Sequence, residues 1–140
     1  MIKPVNKLRI LFASAIVVIF FSCISTVHIS DDLSPAELIQ RAQEATDKNR
    51  YNNALQYYQA LYDRNRNNID LIITAEYEIA FIHYKQKKYH QARSELSSLL
   101  RYYNSPDQEL LPQQFKRLAE IVIERIDEAE SYGRIPRRNR

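Results

Sequence analysis

The sequence is poor in glycine, tryptophan and cysteine. Among its 140 residues there are one Gly, no Trp and one Cys. A single glycine excludes glycine-rich loops around phosphates and leaves little for the tight turns between β-strands. The lone Cys23 excludes an intramolecular disulfide, so cysteine usage does not indicate a redox compartment. Long helices fit this composition best, and we expect an all-α fold.

The net positive charge of the chain equals the charge of its N-terminus. Lys and Arg number 20 against 17 Asp and Glu, and the difference equals the three basic residues at the start of the chain, Lys3, Lys7 and Arg9. A neutral remainder gives no electrostatic basis for binding nucleic acid. We expect residues 133–140 to form a solvated basic tail, with contact to anionic lipid or an acidic partner as the alternative. Its charges are Arg134, Arg137, Arg138 and Arg140.

The first 22 residues have the order of a secretory signal peptide. A basic start is followed by the apolar run of residues 10–21 (ILFASAIVVIFF), then by Ser22 and Cys23. This pattern resembles the leader of bacterial lipoproteins, whose signal peptidase cuts before a cysteine that becomes lipid-modified. The resemblance implies that Cys23 is the lipid attachment site, and we expect residues 23–33 to be a tether between lipid and domain.

Two other interpretations of the leader stay open. The uncharged residues 10–27 come close to the minimum length of a single membrane span, and the cysteine is also compatible with a simple secreted protein. Because the basic residues precede the apolar run, the rest of the chain is directed away from the cytoplasm. We expect a lipid-anchored protein of the cell envelope facing the periplasm, with a single-pass N-terminal anchor as the alternative. Ile24 in place of Asp slightly favours the outer membrane.

Residues 34–132 contain five segments with helical patterns. The first opens with Ser34-Pro35-Ala36-Glu37, a capping box with proline at the first helical position. A second follows from Tyr51 and ends in the polar run 64–68. Residues 69–84 are apolar nearly all round, which predicts a central helix covered on more than one side. A fourth, one-sided helix starts at Tyr89.

The fifth segment also predicts a one-sided helix, which we expect to cap the domain. Ser105-Pro106-Asp107-Gln108 repeats the cap signature before it, and Pro112 either delays the start of the helix or kinks it. Its stripe of apolar residues begins at Phe115. We expect its acidic run to be a solvated face, made of Glu124, Asp127, Glu128 and Glu130.

An internal repeat relates the second and fourth helices, because Tyr51-Asn52-Asn53-Ala54 is followed 38 residues later by Tyr89-His90-Gln91-Ala92. Residues 75–92 resemble a tetratricopeptide repeat, and residues 38–68 resemble one less closely. The matching positions in the second repeat are Ile79, Ala80, Tyr89, Ala92, Leu96 and Leu99. The resemblance implies an all-α fold with about two antiparallel helical hairpins and a C-terminal capping helix.

Tetratricopeptide repeats bind protein segments along the concave surface formed by the first helix of each repeat. The resemblance therefore implies a protein-binding role for residues on two helices, namely Thr74, Tyr77, Phe81, Tyr84 and Lys85 in the second repeat and Ile39 and Gln43 in the first. The alternative is that Tyr77, Phe81 and Tyr84 pack against the fifth helix. Members that clamp a C-terminal carboxylate have Lys and Asn where Tyr77 and Phe81 stand here, so we expect an apolar or aromatic-rich ligand.

No catalytic constellation is present in the sequence. We expect His83 and His90, seven residues apart, to be a packing residue and an exposed residue, without a metal, cofactor or enzymatic role. The first function hypothesis is an adaptor that holds envelope proteins, reminiscent of the repeat-bearing lipoproteins of outer-membrane protein assembly. The second is a self-associating structural module attached to the membrane.

Overall fold

The computed structural model describes residues 27–134, which fold into five α-helices. They are α1 (Pro35–Asp47), α2 (Tyr51–Arg64), α3 (Ile69–Lys85), α4 (Tyr89–Leu100) and α5 (Gln113–Arg134). Two short 3-10 turns, Arg101–Asn104 and Gln108–Leu110, connect α4 to α5. No strand occurs in residues 27–134, so the prediction of an all-α fold is confirmed for this part of the chain.

The predicted capping box starts α1. The Ser34 hydroxyl oxygen accepts a hydrogen bond from the Glu37 N–H at 3.3 Å, and the Ser34 N–H donates to the Glu37 carboxylate at 2.9 Å. Two orphan donors of the first turn are thereby satisfied, which stabilises the helix by about 1 kcal/mol. The second cap signature, at Ser105, does not start the helix. Of the two effects expected of Pro112 the delay is confirmed: residues 101–112 form the connection, and α5 begins directly after this proline, which has no N–H for a preceding turn.

The two hairpins, α1–α2 and α3–α4, share the same loop. In each, the N–H at the third loop position bonds to the carbonyl five residues earlier, at 2.8 Å for Arg50 and 3.0 Å for Lys88. The preceding residue is left-handed in both, with φ 54° at Asn49 and 61° at Lys87. Such short connections between packed helices reverse the chain direction. The 38-residue repeat of the sequence is therefore also a repeat of the backbone.

Apolar side chains form two cores, one on each side of α3. Ala75 and Ile82 are buried with residues of α1 and α2, while Ile73, Tyr77 and Ala80 are buried with residues of α4 and α5. This confirms that the third helix is covered from more than one side. Because α3 carries both contacts, it fixes the position of one hairpin against the other.

Hydrogen bonds hold the segment before α1 along α2. We call residues 27–33 the N-terminal strap. The Val27 N–H donates to the Gln56 side-chain oxygen at 3.1 Å. Farther along α2, the Arg64 guanidinium donates to the Ser30 carbonyl at 3.0 Å and pairs with Asp31 at 3.2 Å. In chain order the strap therefore runs parallel to α2, from the middle of that helix at Gln56 to its C-terminal end at Arg64.

Apolar contacts complete the docking of the strap. Ile29 and Leu33 are half-buried and pack against the α1–α2 core. Seven of the residues expected to serve as a tether are thus held on the helical body, and they cover part of the outer face of the first hairpin. The predicted signal peptide, Cys23 and the tail beyond Arg134 lie outside the described residues. None of the helices in residues 27–134 is both long and apolar enough for a bilayer span.

Candidate partner-binding surface

One side of α3 is left between the two cores, and we call its side chains the α3 strip. The strip consists of Thr74, Glu78, Phe81 and Lys85, which recur at helical spacing on one face. Lys85 is exposed and the other three are half-buried. Three of the five residues predicted on this helix therefore lie on one accessible face, together with Glu78.

Aromatic rings support the strip from within. Tyr77 stacks on Phe81 with ring centroids 5.9 Å apart, and Phe81 stacks on Tyr84 at the same distance. Phe115, near the start of α5, covers Tyr77 at 5.2 Å and leaves it only 5% exposed. Tyr77 thus packs against α5 and supports the surface from below, and Phe81 and Tyr84 are half-buried with one side against the same core. Burial raises the pKa of the Tyr77 phenol to about 12.

Lys85 places a positive charge beside aromatic faces. Its Nζ lies 5.8 Å from the Phe81 ring centroid and 5.9 Å from that of Tyr51. Cation–π contacts of this kind contribute about 0.5–1 kcal/mol at exposed sites. They also hold the ammonium over the ring instead of leaving it free in solvent. Phe81 and Lys85 thus form one surface feature, in which a cation lies over an apolar ring.

Glu78 adds a carboxyl group that the sequence reasoning missed. Burial raises its pKa, and the charge of Lys85 opposes that shift. Glu78 stands four residues after Thr74 and three before Phe81, so helical spacing places it on their face, whereas Glu76 lies on the opposite side of the helix. The strip therefore offers an acidic group, an aromatic ring and a cation in sequence along one helix.

The remaining predicted residues differ in availability. The Thr74 hydroxyl donates to the Asp70 carbonyl at 2.7 Å, so its oxygen is engaged within the helix. Ile39 of α1 is half-buried against the α1–α2 core, to which α3 contributes Ile82. Gln43, one turn farther along α1, is exposed. The first helix of each hairpin, α1 and α3, thus carries predicted residues. Among them, Phe81 and Lys85 form the most accessible pair with an apolar and a charged group.

A groove lies on the opposite side of α3, between α2 and α4. It has a volume of about 260 Å³ and is lined by Gln59, Tyr62, Glu76, Ile79, Ser94, Glu95 and Ser98. Burial raises the pKa of Glu76, and a hydrogen bond from the Tyr102 hydroxyl at 3.2 Å opposes the shift. This groove was not predictable from the sequence, because its walls come from three different helices.

His83 belongs to a polar cluster at this groove. Its Nδ1 lies 2.7 Å from a carboxylate oxygen of Glu95, and Gln91 donates to the other oxygen of Glu95 at 3.0 Å. The sequence reasoning placed His83 at a packing position among apolar neighbours, and its side chain is indeed buried. It missed the carboxylate partner, which lies on the next helix. Within residues 27–134 no group of three His, Cys, Asp or Glu side chains is arranged to hold a metal ion.

The acidic run of α5 is not a uniformly solvated face. Arg93 of α4 pairs with Asp127 at 2.6 Å and with Glu130 at 3.0 Å. Glu124 and Glu128 are exposed, as expected for the whole run. Asp127 is exposed as well, although it pairs with Arg93, and only Glu130 is half-buried. These ion pairs fix the late part of α5 next to the early part of α4.

Comparison with known proteins gives one relative. The chain is 34% identical over 119 residues to an uncharacterized protein of Treponema pallidum (strain Nichols), and the match covers 81% of this chain and 48% of that protein. The chain thus spans about half the length of the curated relative it matches. No family model matches the chain, and no solved structure matches it significantly.

Proposed function

We propose that this protein is a membrane-anchored adaptor of the tetratricopeptide-repeat type, which binds a segment of another envelope protein on the α3 strip. The observation that carries the proposal is the half-exposed Phe81 ring, held between buried Tyr77 and Lys85. An aromatic ring with an adjacent fixed charge is the kind of anchor on which protein interfaces depend. The repeated hairpin loops support the repeat-type architecture.

The ligand that fits the strip best is a segment with an apolar or aromatic side chain beside a charged one. The apolar side chain packs on Phe81. A carboxylate next to it pairs with Lys85, or a basic group pairs with Glu78. The partner we propose is a component of an envelope complex, such as one that assembles outer-membrane proteins. The resemblance of the leader to that of lipoproteins supports attachment through a lipid on Cys23.

Site-specific photocrosslinking in intact cells tests the adaptor function. A photoreactive residue is placed at position 81 or 85, and for comparison at Ser97, which is exposed on α4. The expected result is that one envelope protein is captured from positions 81 and 85 but not from 97, and that Phe81→Ala abolishes capture from position 85. Equal capture from all three positions would contradict a binding role for the strip.

The intact mass of the protein from its native membrane tests the anchor. Removal of residues 1–22 with addition of acyl mass at Cys23 is expected. An unprocessed chain would favour the single-pass anchor, and a processed chain without acyl mass would favour a secreted protein.

Self-association is the second candidate function, favoured by apolar side chains on the outside of α5. Leu118 and Ile121 are each 39% exposed. Burying them against a second copy would remove apolar area from water. Sedimentation velocity of the detergent-solubilised protein should then show dimers that increase with concentration and are lost in Leu118→Ser/Ile121→Ser. A monomer at all concentrations would exclude this function.

A further inference from the structure

The groove between α2 and α4, which we call the α2–α4 groove, contains carboxylates without a matching cation. Of the seven side chains that line it, Glu76 of α3 and Glu95 of α4 are the charged ones, and no Lys or Arg is among them. The other five are an amide, two hydroxyls, a phenol and one apolar side chain. The groove therefore presents negative charge inside a concavity of about 260 Å³.

Glu76 is the carboxylate that lacks a counter-charge. Its side chain is half-buried, and within residues 27–134 its one hydrogen bond comes from the Tyr102 hydroxyl, at 3.2 Å. No basic side chain of these residues lies within ion-pair distance of it. Burial removes water from the carboxylate, which raises its pKa. An ionised Glu76 thus costs free energy that a cation in the groove would recover.

Glu95 provides a second carboxylate, which other side chains hold in place. One of its oxygens lies 2.7 Å from His83 Nδ1, and the other accepts a hydrogen bond from Gln91 at 3.0 Å. The imidazole offsets the charge of Glu95 only when it is protonated. The side chain of Glu95 stays partly accessible, so its position at the wall of the groove is fixed without being closed off.

Two arginines reach the rim of the groove and are engaged there. Arg66 lies over the Tyr62 ring, 5.2 Å from its centroid, and pairs with Asp63 at 2.6 Å. Arg101 is exposed and donates to the Ser98 hydroxyl at 3.1 Å. Neither pairs with a carboxylate of the groove lining. Since Asp63 offsets the charge of Arg66, the described residues leave the carboxylates inside the groove without a fixed partner of opposite charge.

An arginine side chain fits this lining. The second oxygen of Glu76 and the Ser94 hydroxyl have no hydrogen-bond partner within the described part of the chain. A guanidinium offers five N–H donors in a planar fork, and its face stacks on aromatic rings. The contact of Arg66 with Tyr62 shows that a ring of this wall accepts such a face. Lysine would supply a point charge without the planar group.

The size of the groove favours a side chain over a free small molecule. Its volume of about 260 Å³ is below the range of about 300–1,000 Å³ that is typical of small-molecule pockets. One long side chain, entering from a segment that lies across α2 and α4, is the occupant that this space admits.

We propose that the α2–α4 groove binds an arginine side chain of a partner protein. The groove lies on the side of α3 opposite the α3 strip, and the thickness of one helix, about 10 Å, separates the two surfaces. The contact thus goes beyond the proposed function and depends neither on the strip nor on the anchor. With a binding surface on each side of α3, the protein holds two segments at the same time.

Two peptides that differ in charge test the chemistry of the groove. The probes are acetyl-Ala-Arg-Ala-amide and the same peptide with citrulline, in which a neutral urea of nearly the same shape replaces the guanidinium. Each is titrated into the ¹⁵N-labelled full-length protein in zwitterionic micelles, and the amide chemical shifts are followed. We expect saturable shifts in residues 76–79 and 94–98 with the arginine peptide. The citrulline peptide should bind about tenfold more weakly, because a charge-assisted pair is lost.

A matched pair of variants assigns the effect to one carboxylate. Glu76→Gln removes the charge but keeps an acceptor for the Tyr102 hydroxyl, and we expect it to bind the arginine peptide about tenfold more weakly than wild type. Glu124→Gln removes an exposed carboxylate of α5 and should bind as wild type does. Equal binding of the two peptides, equal binding by wild type and Glu76→Gln, or no shifts in the groove would overturn the proposal.

Photocrosslinking in intact cells identifies the source of the arginine. The photoreactive residue replaces Ser94, which lines the groove, or Ser97, its control; both are exposed serines of α4. Mass spectrometry then sequences the crosslinked segments. We expect an adduct from position 94 alone, with an arginine-containing segment of another protein, and its loss in Glu76→Gln. An adduct with residues 135–140 of this chain or with a second copy, or no adduct specific to position 94, would rule out the partner protein.

Discussion

His83 Nδ1 and a carboxylate oxygen of Glu95 lie 2.7 Å apart and join α3 to α4 beside the groove between α2 and α4. The histidine is buried, whereas the carboxylate is partly accessible. Because a buried polar group that loses its partner keeps the cost of desolvation, the pair makes the second hairpin sensitive to either residue.

Removal of the carboxylate should destabilise the protein. Glu95→Ala removes the partner of Nδ1 and leaves the buried imidazole only the contact of Nε2 with Gln91 at 3.4 Å, so we expect the free energy of unfolding to fall by about 1–3 kcal/mol. Urea denaturation followed by circular dichroism measures this change. Ser97→Ala, on the exposed face of the same helix, is the control and should stay close to wild type. Equal stability of Glu95→Ala and wild type would show that the contact contributes nothing.

Arg93 should hold the late part of α5 on the bundle. In Arg93→Gln both ion pairs, with Asp127 and Glu130, are weakened. These groups are partly exposed, so we expect a global loss of only about 0.5–1 kcal/mol but faster amide exchange in residues 123–132. Hydrogen exchange with mass spectrometry resolves this segment. Arg117→Gln, earlier on the same helix, provides a matched control, and unchanged exchange in Arg93→Gln would exclude the role.

Tyr77 and Phe81 should respond differently to truncation. Tyr77→Ala opens a cavity between α3 and α5 and should lower the free energy of unfolding by about 3–5 kcal/mol. Phe81→Ala removes a half-exposed ring, so the loss of stability should be clearly smaller while crosslinking from position 85 disappears. Thermal denaturation combined with the crosslinking assay separates the two effects. If Phe81→Ala binds normally, the ring is a packing residue only.

Stability should fall at high pH. The folded state raises the pKa of Tyr77 to about 12, from an ordinary value of 10.0, because burial disfavours the phenolate. The unfolded chain therefore loses its proton first, and the stability contributed by the neutral phenol is present below pH 10 and lost as the pH rises toward 12. For this one residue the loss approaches 2–3 kcal/mol, by about 1.4 kcal/mol per pKa unit.

Tyr58 acts in the same direction, since burial raises its pKa as well. Urea titrations at intervals from pH 9 to 12 check the prediction. In Tyr77→Phe the free energy of unfolding should fall less steeply with pH than in wild type, because one titrating phenol is missing. A decline that is identical in both proteins would show that Tyr77 titrates normally in the folded state.

Replacing Lys87, whose backbone is in the left-handed conformation, should raise the stability of the protein. Lys87→Gly removes a conformational cost of about 1–2 kcal/mol, part of which is offset by the greater freedom of glycine in the unfolded chain. We expect a net gain of about 0.5–1 kcal/mol in urea denaturation. Asn49→Gly should gain less, because asparagine tolerates this conformation. No gain at position 87 would mean that the loop relaxes around lysine at no cost.

The local parts of the fold were predictable from sequence. Ser34 and Glu37, three residues apart, form the capping box that starts α1. The polar run 64–68 interrupts the apolar pattern and ends α2. Neighbouring residues alone therefore indicate where these helices begin and end. The two-sided burial of α3 was also predicted, since its apolar residues leave no clean polar face. The start of α5 could be predicted only to within residues 105–112. Ser105 has the pattern of a helix N-cap, and Pro112 is also typical of a position where a helix starts.

The site was predictable only in part. The sequence indicated the helix that carries the strip, but helical spacing alone does not separate buried Tyr77 from half-exposed Phe81. That difference is set by Phe115, which lies on another helix. The pairing of His83 with Glu95 was missed for the same reason.

The sequence by itself thus determined the number and order of the helices, the hairpin repeat and the central position of α3, because these depend on contacts within a few turns. Only the tertiary structure decided that the strap lies on α2, that Arg93 holds α5, and that His83 pairs with Glu95. Arg64 meets Ser30 across 34 residues, and Arg93 meets Glu130 across 37. Such distant pairs leave no periodic pattern in the sequence, and they form only when the packing of apolar faces brings the helices together.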